Sequence, residues 1–220
     1  MQMPPDMVIF DCDGVVVDSE GATARVLVAN LARHGLPLTP EQLADMFLGG
    51  TMMGVEARAK ELGAKLPSTW LDDTYQEVFD CLAKEVEAIP GIGGVLDALD
   101  AAGIPYAIGS NGPHRKMEIT LTRTGLLERF KPHVYSREDV ANPKPAPDVY
   151  LKAASEAGVP PHRCVVIEDS PNGARAGKAA GMYCFGFAAE TAPERLQPVV
   201  DALFYDMIEL PALLGLKSAR

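Results

Sequence analysis

The strongest constraint on this chain is a set of short, uninterrupted apolar runs that each stop at a polar residue or a glycine. Met7-Val8-Ile9-Phe10 ends at Asp11, with Gly14 close behind. Tyr106-Ala107-Ile108-Gly109, Val165-Val166-Ile167 and Tyr183-Cys184-Phe185-Gly186 follow the same plan, and Leu203-Phe204-Tyr205 is a weaker copy. Runs of this length without alternation suit strands buried on both faces, as in a parallel sheet. Between them lie helical stretches, Val95 to Ala102, Arg115 to Thr124, Asp148 to Ala157 and Ala174 to Ala180. These end at Gly103, Gly125, Gly158 and Gly181, as helices with left-handed caps do. Strand and helix in alternation predict an α/β fold on a doubly wound parallel sheet.

One segment breaks the alternation. From about Ser19 to Glu87 helical periodicity is punctuated by Gly35, Pro37, Pro40, Gly49-Gly50, Gly63 and Pro67, with no convincing strand. Ala22 to Leu31 and Trp70 to Val86 carry apolar residues at helical spacing, so Trp70, Tyr75 and Phe79 read as helix-packing residues. The expected organisation is an α/β core from 1–17 and 88–220, with an all-α cap inserted at 18–87. The linkers fall near Val15 to Asp18 and Ala88 to Pro90.

Composition narrows the function classes. The 220 residues are 47% hydrophobic and 23% charged, with a formal net charge of −10. An acidic surface repels phosphate backbones, which argues against nucleic acid or an anionic membrane as partner. A small anionic substrate then requires local positive charge at its site. Cys12, Cys81, Cys164 and Cys184 form no CxxC pair and read as free, mostly buried thiols. His34, His114, His133 and His162 show no metal-ligand spacing. No basic stretch leading into a long apolar run opens the sequence, and no window has the apolar length of a membrane span, so a cytoplasmic protein is expected. Oligomeric state is not readable from the sequence.

Ligand sites in open α/β sheets lie beyond the carboxyl ends of the strands. The first strand ends in Asp11-Cys12-Asp13-Gly14, two like charges that a divalent cation and an anionic partner would reconcile; turn capping is the alternative. The second ends in Ser110-Asn111-Gly112-Pro113, an anion cradle or a plain helix cap. Asn142-Pro143-Lys144-Pro145-Ala146-Pro147 holds a single lysine in a stiff backbone, as a positioned cation requires. Glu168-Asp169-Ser170-Pro171 follows a further strand and offers oxygen ligands suited to Mg²⁺, with Asp169 or Ser170 also able to cap the next helix.

In order and spacing, Asp11-Cys12-Asp13-Gly14-Val15, Ser110-Asn111, Lys144-Pro145 and Glu168-Asp169-Ser170 resemble the four motifs of the haloacid dehalogenase superfamily. The branch is that of phosphatases and phosphomutases with a helical cap after the first strand, and the resemblance spans the chain. It implies a Rossmann-like core and a Mg²⁺ ion held by Asp11, the Asp13 carbonyl oxygen and Asp169, with Glu168 nearby or ligating. It further implies that Asp11 would attack phosphorus to form an aspartyl-phosphate, and that Asp13 would protonate the leaving oxygen and then deprotonate water. By the same resemblance, Ser110 and Asn111 would hold phosphoryl oxygens, and Lys144 would neutralise Asp11 and the phosphate. These roles agree with what phosphoryl transfer asks of a site.

Within that resemblance, Asp13 argues against the dehalogenases, which lack an acid at its position. β-Phosphoglucomutases carry a cap-helix histidine where Thr23 falls, and a lysine and arginine where the loop reads Phe47-Leu48-Gly49-Gly50-Thr51-Met52. Hydrolysis is therefore expected over mutase chemistry and over a silent scaffold on the same fold. Glu20, Gly49, Gly50 and Thr51 are the expected substrate residues of the cap. The run Ser110-Asn111-Gly112-Pro113 with Lys116-Met117 is similar to the subgroup containing 6-phosphogluconate phosphatases, which implies a small phosphorylated sugar or sugar acid as substrate.

Overall fold

The computed structural model describes residues 4–47 and 51–216. In chain order the described strands are β1 (Met7–Phe10), β2 (Val17–Asp18), β3 (Glu87–Ala88), β4 (Tyr106–Ser110), β5 (Val134–Ser136), β6 (Cys164–Glu168), β7 (Tyr183–Phe187) and β8 (Ala202–Phe204). Six of them form one sheet in the order β5-β4-β1-β6-β7-β8, and every neighbouring pair is parallel. This is the doubly wound α/β fold the sequence predicts. The main helices are α1 (Glu20–Arg33), α2 (Pro40–Phe47), α3 (Met52–Glu61), α4 (Trp70–Glu85), α5 (Ile92–Ala102), α6 (His114–Arg123), α7 (Leu127–Phe130), α8 (Asp148–Glu156) and α9 (Pro171–Ala179).

β1 occupies the middle of the sheet because nothing in it tolerates water. Val8, Ile9 and Phe10 are fully buried, with partners on both sides: Phe10 lies in register with Ile108 of β4 and with Ile167 of β6. On one face Ile9, Ala107 and Val166 pack with Tyr150 of α8 and Ala174 of α9. On the other, Phe10 meets the ring of Phe130 edge-on at 6.3 Å. The chain runs from β1 to β4 and β5 on one flank, then crosses to β6, β7 and β8 on the other. The strand order therefore reverses beside β1, and the carboxyl ends of β1, β4 and β6 open onto a single crevice.

By its internal contacts the chain divides into two compact units. One carries the sheet, running to Asp18 and resuming at Ala88; the other is Ser19–Glu87. The second unit is helical, with a core of Leu27, Leu31, Leu43, Val55, Ala59, Ala64 and Trp70. Its buried polar centre is satisfied: Trp70 Nε1 donates to Asn30 Oδ1 at 2.6 Å, and Asn30 Nδ2 reaches Thr74 Oγ1 at 3.2 Å. Trp70 and Phe79 are buried and the Tyr75 and Phe79 rings lie 5.7 Å apart, which is helix packing as expected.

Three strands escape the sequence reading. β5 is a three-residue edge strand, bonded only through β4, and Val134-Tyr135-Ser136 is too short and polar to register as an apolar run. The two-residue strands β2 and β3 form a separate two-stranded ribbon, which makes Glu87 a strand residue rather than part of a wholly helical segment. The four glycines that end the predicted helices all take positive φ. The four cysteines are free, and Cys12, Cys164 and Cys184 are buried. No helix among the described residues is long and apolar enough to cross a membrane.

Candidate active site

The crevice gathers the polar strand ends. Asp11 continues the ladder one step past β1, its N–H donating to Ile167 O at 2.9 Å, so its carboxylate is fixed at the sheet edge. Gly14 then turns the chain with φ +78°, and its N–H closes on Val17 O at 2.9 Å. Lys144, only 6% exposed, sends its ammonium to Asp11 Oδ1 at 2.6 Å and to Glu168 Oε1 at 2.7 Å. The flanking prolines place the lysine, and the ion pairs compensate the burial of its charge.

Glu168, fully buried at the end of β6, has both oxygens occupied. Oε1 accepts from Lys144 and from the Tyr150 hydroxyl at 2.9 Å; Oε2 accepts from Ser170 N and Ser170 Oγ, each at 2.9 Å. Ser170 Oγ also accepts from Gly173 N at 3.1 Å, so Ser170, not Asp169, is the N-cap of α9. That leaves the Asp169 carboxylate at the crevice, half-buried. Ligand oxygens of Asp11, Glu168 and Asp169 lie within 4.8 Å of one another.

Electrostatics identify what this cluster needs. Burial pushes the Asp11 carboxyl up to about 7; the negative charges of Glu168 and Asp13 add to the shift, and Lys144 opposes it. Burial disfavours the Lys144 ammonium, yet Asp11 and Glu168 outweigh it and hold its pKa well above the ordinary lysine value. One lysine thus leaves the carboxylates under-neutralised. An all-oxygen donor set with surplus negative charge fits a hard divalent cation, which Asp11 and Asp169 could hold directly and Glu168 could support.

Asp13 sits apart from Asp11 and has its own cation. Lys116, in the first turn of α6, pairs with Asp13 Oδ1 at 2.7 Å. Desolvation works against the Lys116 charge, but Asp13 prevails and raises its pKa. The two acids of one tripeptide therefore stand in unequal surroundings, one buried under Lys144, the other half-buried under Lys116 with 24% of its side chain exposed.

At the end of β4, Ser110 is 1% exposed and its Oγ accepts from Gly112 N at 2.9 Å. Asn111 is bonded through its side chain to the main chain of Lys144, donating to Lys144 O at 3.1 Å and accepting from Lys144 N at 2.9 Å. Neither is a helix cap. Pro113 is the N-cap of α6, and the His114 N–H at that helix entrance donates to Glu138 Oε2 at 2.9 Å. A Cβ built on Gly112 would stand 3.2 Å from Ser110 Oγ, 3.6 Å from Asp13 Oδ2 and 3.8 Å from Lys116 Cδ, so these three groups surround one small space.

The structure thus brings together Asp11, Asp13, Ser110, Asn111, Lys144, Glu168 and Asp169. The other expected substrate residues belong to the helical unit. Glu20 is the exposed first residue of α1, and Thr51 caps α3 by accepting from Gly54 N at 3.1 Å. Gly49 and Gly50 lie outside the described residues. Two site neighbours escaped the sequence reading of the site. Lys116 gave only a resemblance in its run, and Tyr150 lies inside the helical stretch Asp148 to Ala157, where nothing in the spacing singles it out.

A fold and a crevice of this kind define a class of hydrolases. Residues 5–181 match the family described as haloacid dehalogenase-like hydrolase, and the chain belongs to it. It is 32% identical over 210 residues to the 6-phosphogluconate phosphatase of Escherichia coli (strain K12), covering 94% of each chain. It is 33% identical over 193 residues to hexitol phosphatase A of the same organism, covering 87% of each. A HAD family hydrolase from Deinococcus radiodurans R1, solved with bound phosphate and sodium, superposes with a TM-score of 0.83 at 36% identity, over 99% of this chain and 100% of that one. The chain is accordingly an enzyme, a phosphoric monoester hydrolase of this family.

Proposed function

We propose that the protein is a Mg²⁺-dependent phosphatase of small phosphorylated sugars or sugar acids, acting through an aspartyl-phosphate on Asp11. The observation that carries the reading is the unequal pair at the first strand end: Asp11 buried against Lys144, and Asp13 half-buried against Lys116. Identical acids in different surroundings suit different roles. The sugar assignment draws on the names of the two E. coli relatives.

In the first step an Asp11 oxygen bonds to phosphorus as the bond from phosphorus to the leaving oxygen breaks, and Asp13 gives that oxygen its proton. In the second, water attacks the same phosphorus, Asp13 takes the water proton, and the phosphorus–oxygen bond to Asp11 breaks. The products are the free hydroxyl compound and inorganic phosphate, with Asp11 and Asp13 restored. Ser110 Oγ and the Asn111 main-chain N–H hold phosphoryl oxygens, while Lys144 neutralises charge on Asp11 and the phosphoryl group. Asp11, Asp169 and the Asp13 carbonyl oxygen would hold Mg²⁺, with Glu168 behind them, and the ion would supply further neutralisation and keep Asp11 ionised.

The helical unit Ser19–Glu87 supplies the residues that select the substrate, Glu20 and Thr51 among them. Thr23 supports hydrolysis over mutase chemistry. Its hydroxyl donates to Ser19 O at 2.8 Å within α1, where a mutase would need a histidine. Phosphate release from p-nitrophenyl phosphate tests the reading, with wild type and Asp11→Asn assayed in Mg²⁺ and in chelator. Hydrolysis by wild type in Mg²⁺ alone is expected. Equal rates for wild type and Asp11→Asn, or a rate unchanged by chelator, would contradict it. A panel of phosphorylated sugars then fixes the substrate.

A further inference from the structure

The loop that carries Lys144 is poor in the donors with which a chain usually fixes itself. In Pro143-Lys144-Pro145-Ala146-Pro147 only Lys144 and Ala146 own a main-chain N–H, since proline has none. The Ala146 N–H closes a local turn on Pro143 O at 3.0 Å. The Lys144 N–H instead leaves the loop and donates to Asn111 Oδ1 at 2.9 Å, while Asn111 Nδ2 donates back to Lys144 O at 3.1 Å. One side-chain amide, 33 residues away in sequence, thus engages both main-chain groups of the lysine in the manner of a strand rung. Asn111 follows β4 directly, so this clasp refers Lys144 to the centre of the sheet.

A lysine side chain is a point charge on a flexible four-carbon stem. Its ammonium is fixed by Asp11 and Glu168 when no phosphate is present, but an arriving phosphate competes for that ammonium. What then determines where the charge stands is the position of the Lys144 Cα. An amide of this length is what can present one acceptor and one donor to the two main-chain groups of a single residue; serine is too short, and aspartate would oppose an oxygen to the Lys144 carbonyl.

We infer that Asn111 is a positioning residue for Lys144, its side-chain amide fixing the main chain from which the ammonium reaches the phosphoryl group. This rests on the phosphatase reading above. It assigns the Asn111 side chain to the lysine, leaving only its main-chain N–H for the phosphate.

A double-mutant cycle of wild type, Asn111→Ala, Lys144→Met and the double variant tests it. Each protein is read for kcat/KM on p-nitrophenyl phosphate in Mg²⁺, for calorimetric affinity for inorganic phosphate, and for melting temperature. Misplacing a reacting or neutralising group costs about ten- to a hundredfold, so N111A is expected to lose about tenfold or more in kcat/KM. In the K144M background the same change is expected to cost less than about twofold, because a clasp on a missing cation has nothing to position. A loss of equal size in both backgrounds overturns the inference, since the side chain would then act on the phosphate itself. Full activity of N111A overturns it as well. The phosphate affinities close the cycle if K144M turns over too slowly to measure. Asn111→Ser, polar but too short to reach both groups, replaces N111A if the alanine variant does not fold. Absence of hydrolysis by wild type would remove the phosphatase reading and the inference together, whereas an additive cycle in an active enzyme removes the clasp alone.

Discussion

Gly14 and Asp169 compete for the same space. A Cβ on Gly14 would stand 2.1 Å from Asp169 Oδ2 and 2.8 Å from its Cγ, and Gly14 itself takes φ +78°. The missing side chain both permits the turn after β1 and lets the β6 acid swing into the crevice beside Asp11. Gly14→Ala must therefore strain the backbone by about 1–2 kcal/mol and displace Asp169. The expected result is a lower denaturation midpoint and a higher Mg²⁺ concentration for half-maximal activity, read by titrating the ion. An unchanged Mg²⁺ requirement would remove Asp169 from the metal site.

Asp13 is expected to matter in proportion to how badly the leaving group needs a proton. Asp13→Asn should lower kcat/KM for an alkyl phosphate by about 10²–10⁴, and markedly less for p-nitrophenyl phosphate, whose leaving oxygen is already a weak base. Steady-state kinetics on the two substrates check this. Equal losses would show that Asp13 is not the proton donor of the first step.

The raised Asp11 carboxyl gives a pH signature in the metal-free protein. With a folded-state value of about 7 against about 3.9 unfolded, the folded protein binds more protons between these limits. This group's contribution to stability therefore falls as pH rises from about 4 to about 7. Asp11→Asn removes that cost. In chelator the variant should melt a few degrees above wild type at pH 8, with the difference shrinking toward pH 5. A difference independent of pH would show that Asp11 does not titrate in this window.

Tyr150 tests how much of the Glu168 arrangement depends on one bond. Its hydroxyl shares Glu168 Oε1 with Lys144, and its ring lies 4.6 Å from the Lys144 ammonium. Tyr150→Phe keeps the ring and deletes the bond, so a stability loss of about 1 kcal/mol by urea denaturation is expected. Hydrolysis should fall less than in Lys144→Met, because both ammonium contacts remain.

In the helical unit the buried pair Asn30 and Trp70 sets stability. Asn30→Ala leaves the Trp70 indole N–H and the Thr74 hydroxyl without the amide they meet. A cost of about 1–3 kcal/mol is expected, measurable by thermal melting. A neutral outcome would mean that water replaces the amide.

The sheet was legible because burial on both faces leaves a strong mark: β1, β4, β6 and β7 each read as continuous apolar runs, and their helices as periodic stretches closed by glycine. β5 was not, since an edge strand needs only one paired side and Val134-Tyr135-Ser136 supplies no run. The acids and Ser110 were legible as chemistry out of place, polar groups where strands stop, and Lys144 as a single cation held in a proline-stiffened loop. Lys116 and Tyr150 were not, for each sits at an ordinary helical position and gains its meaning from what lies opposite.

The sequence by itself determined that polar residues follow three buried strands and that a proline-stiffened lysine lies between the second and third of them, because burial on both faces writes continuous apolar runs, whereas the strand order and its reversal beside β1 belong to the folded sheet. Only the tertiary structure decided how the charges pair there. Lys144 joins Asp11 to Glu168, Lys116 takes Asp13, and the Asn111 side chain turns to the Lys144 main chain. Such pairings span 24 to 133 residues of chain, and they depend on distances of a few ångströms. Local periodicity carries no such information, because side-chain partners are set by packing between elements and not by spacing along them.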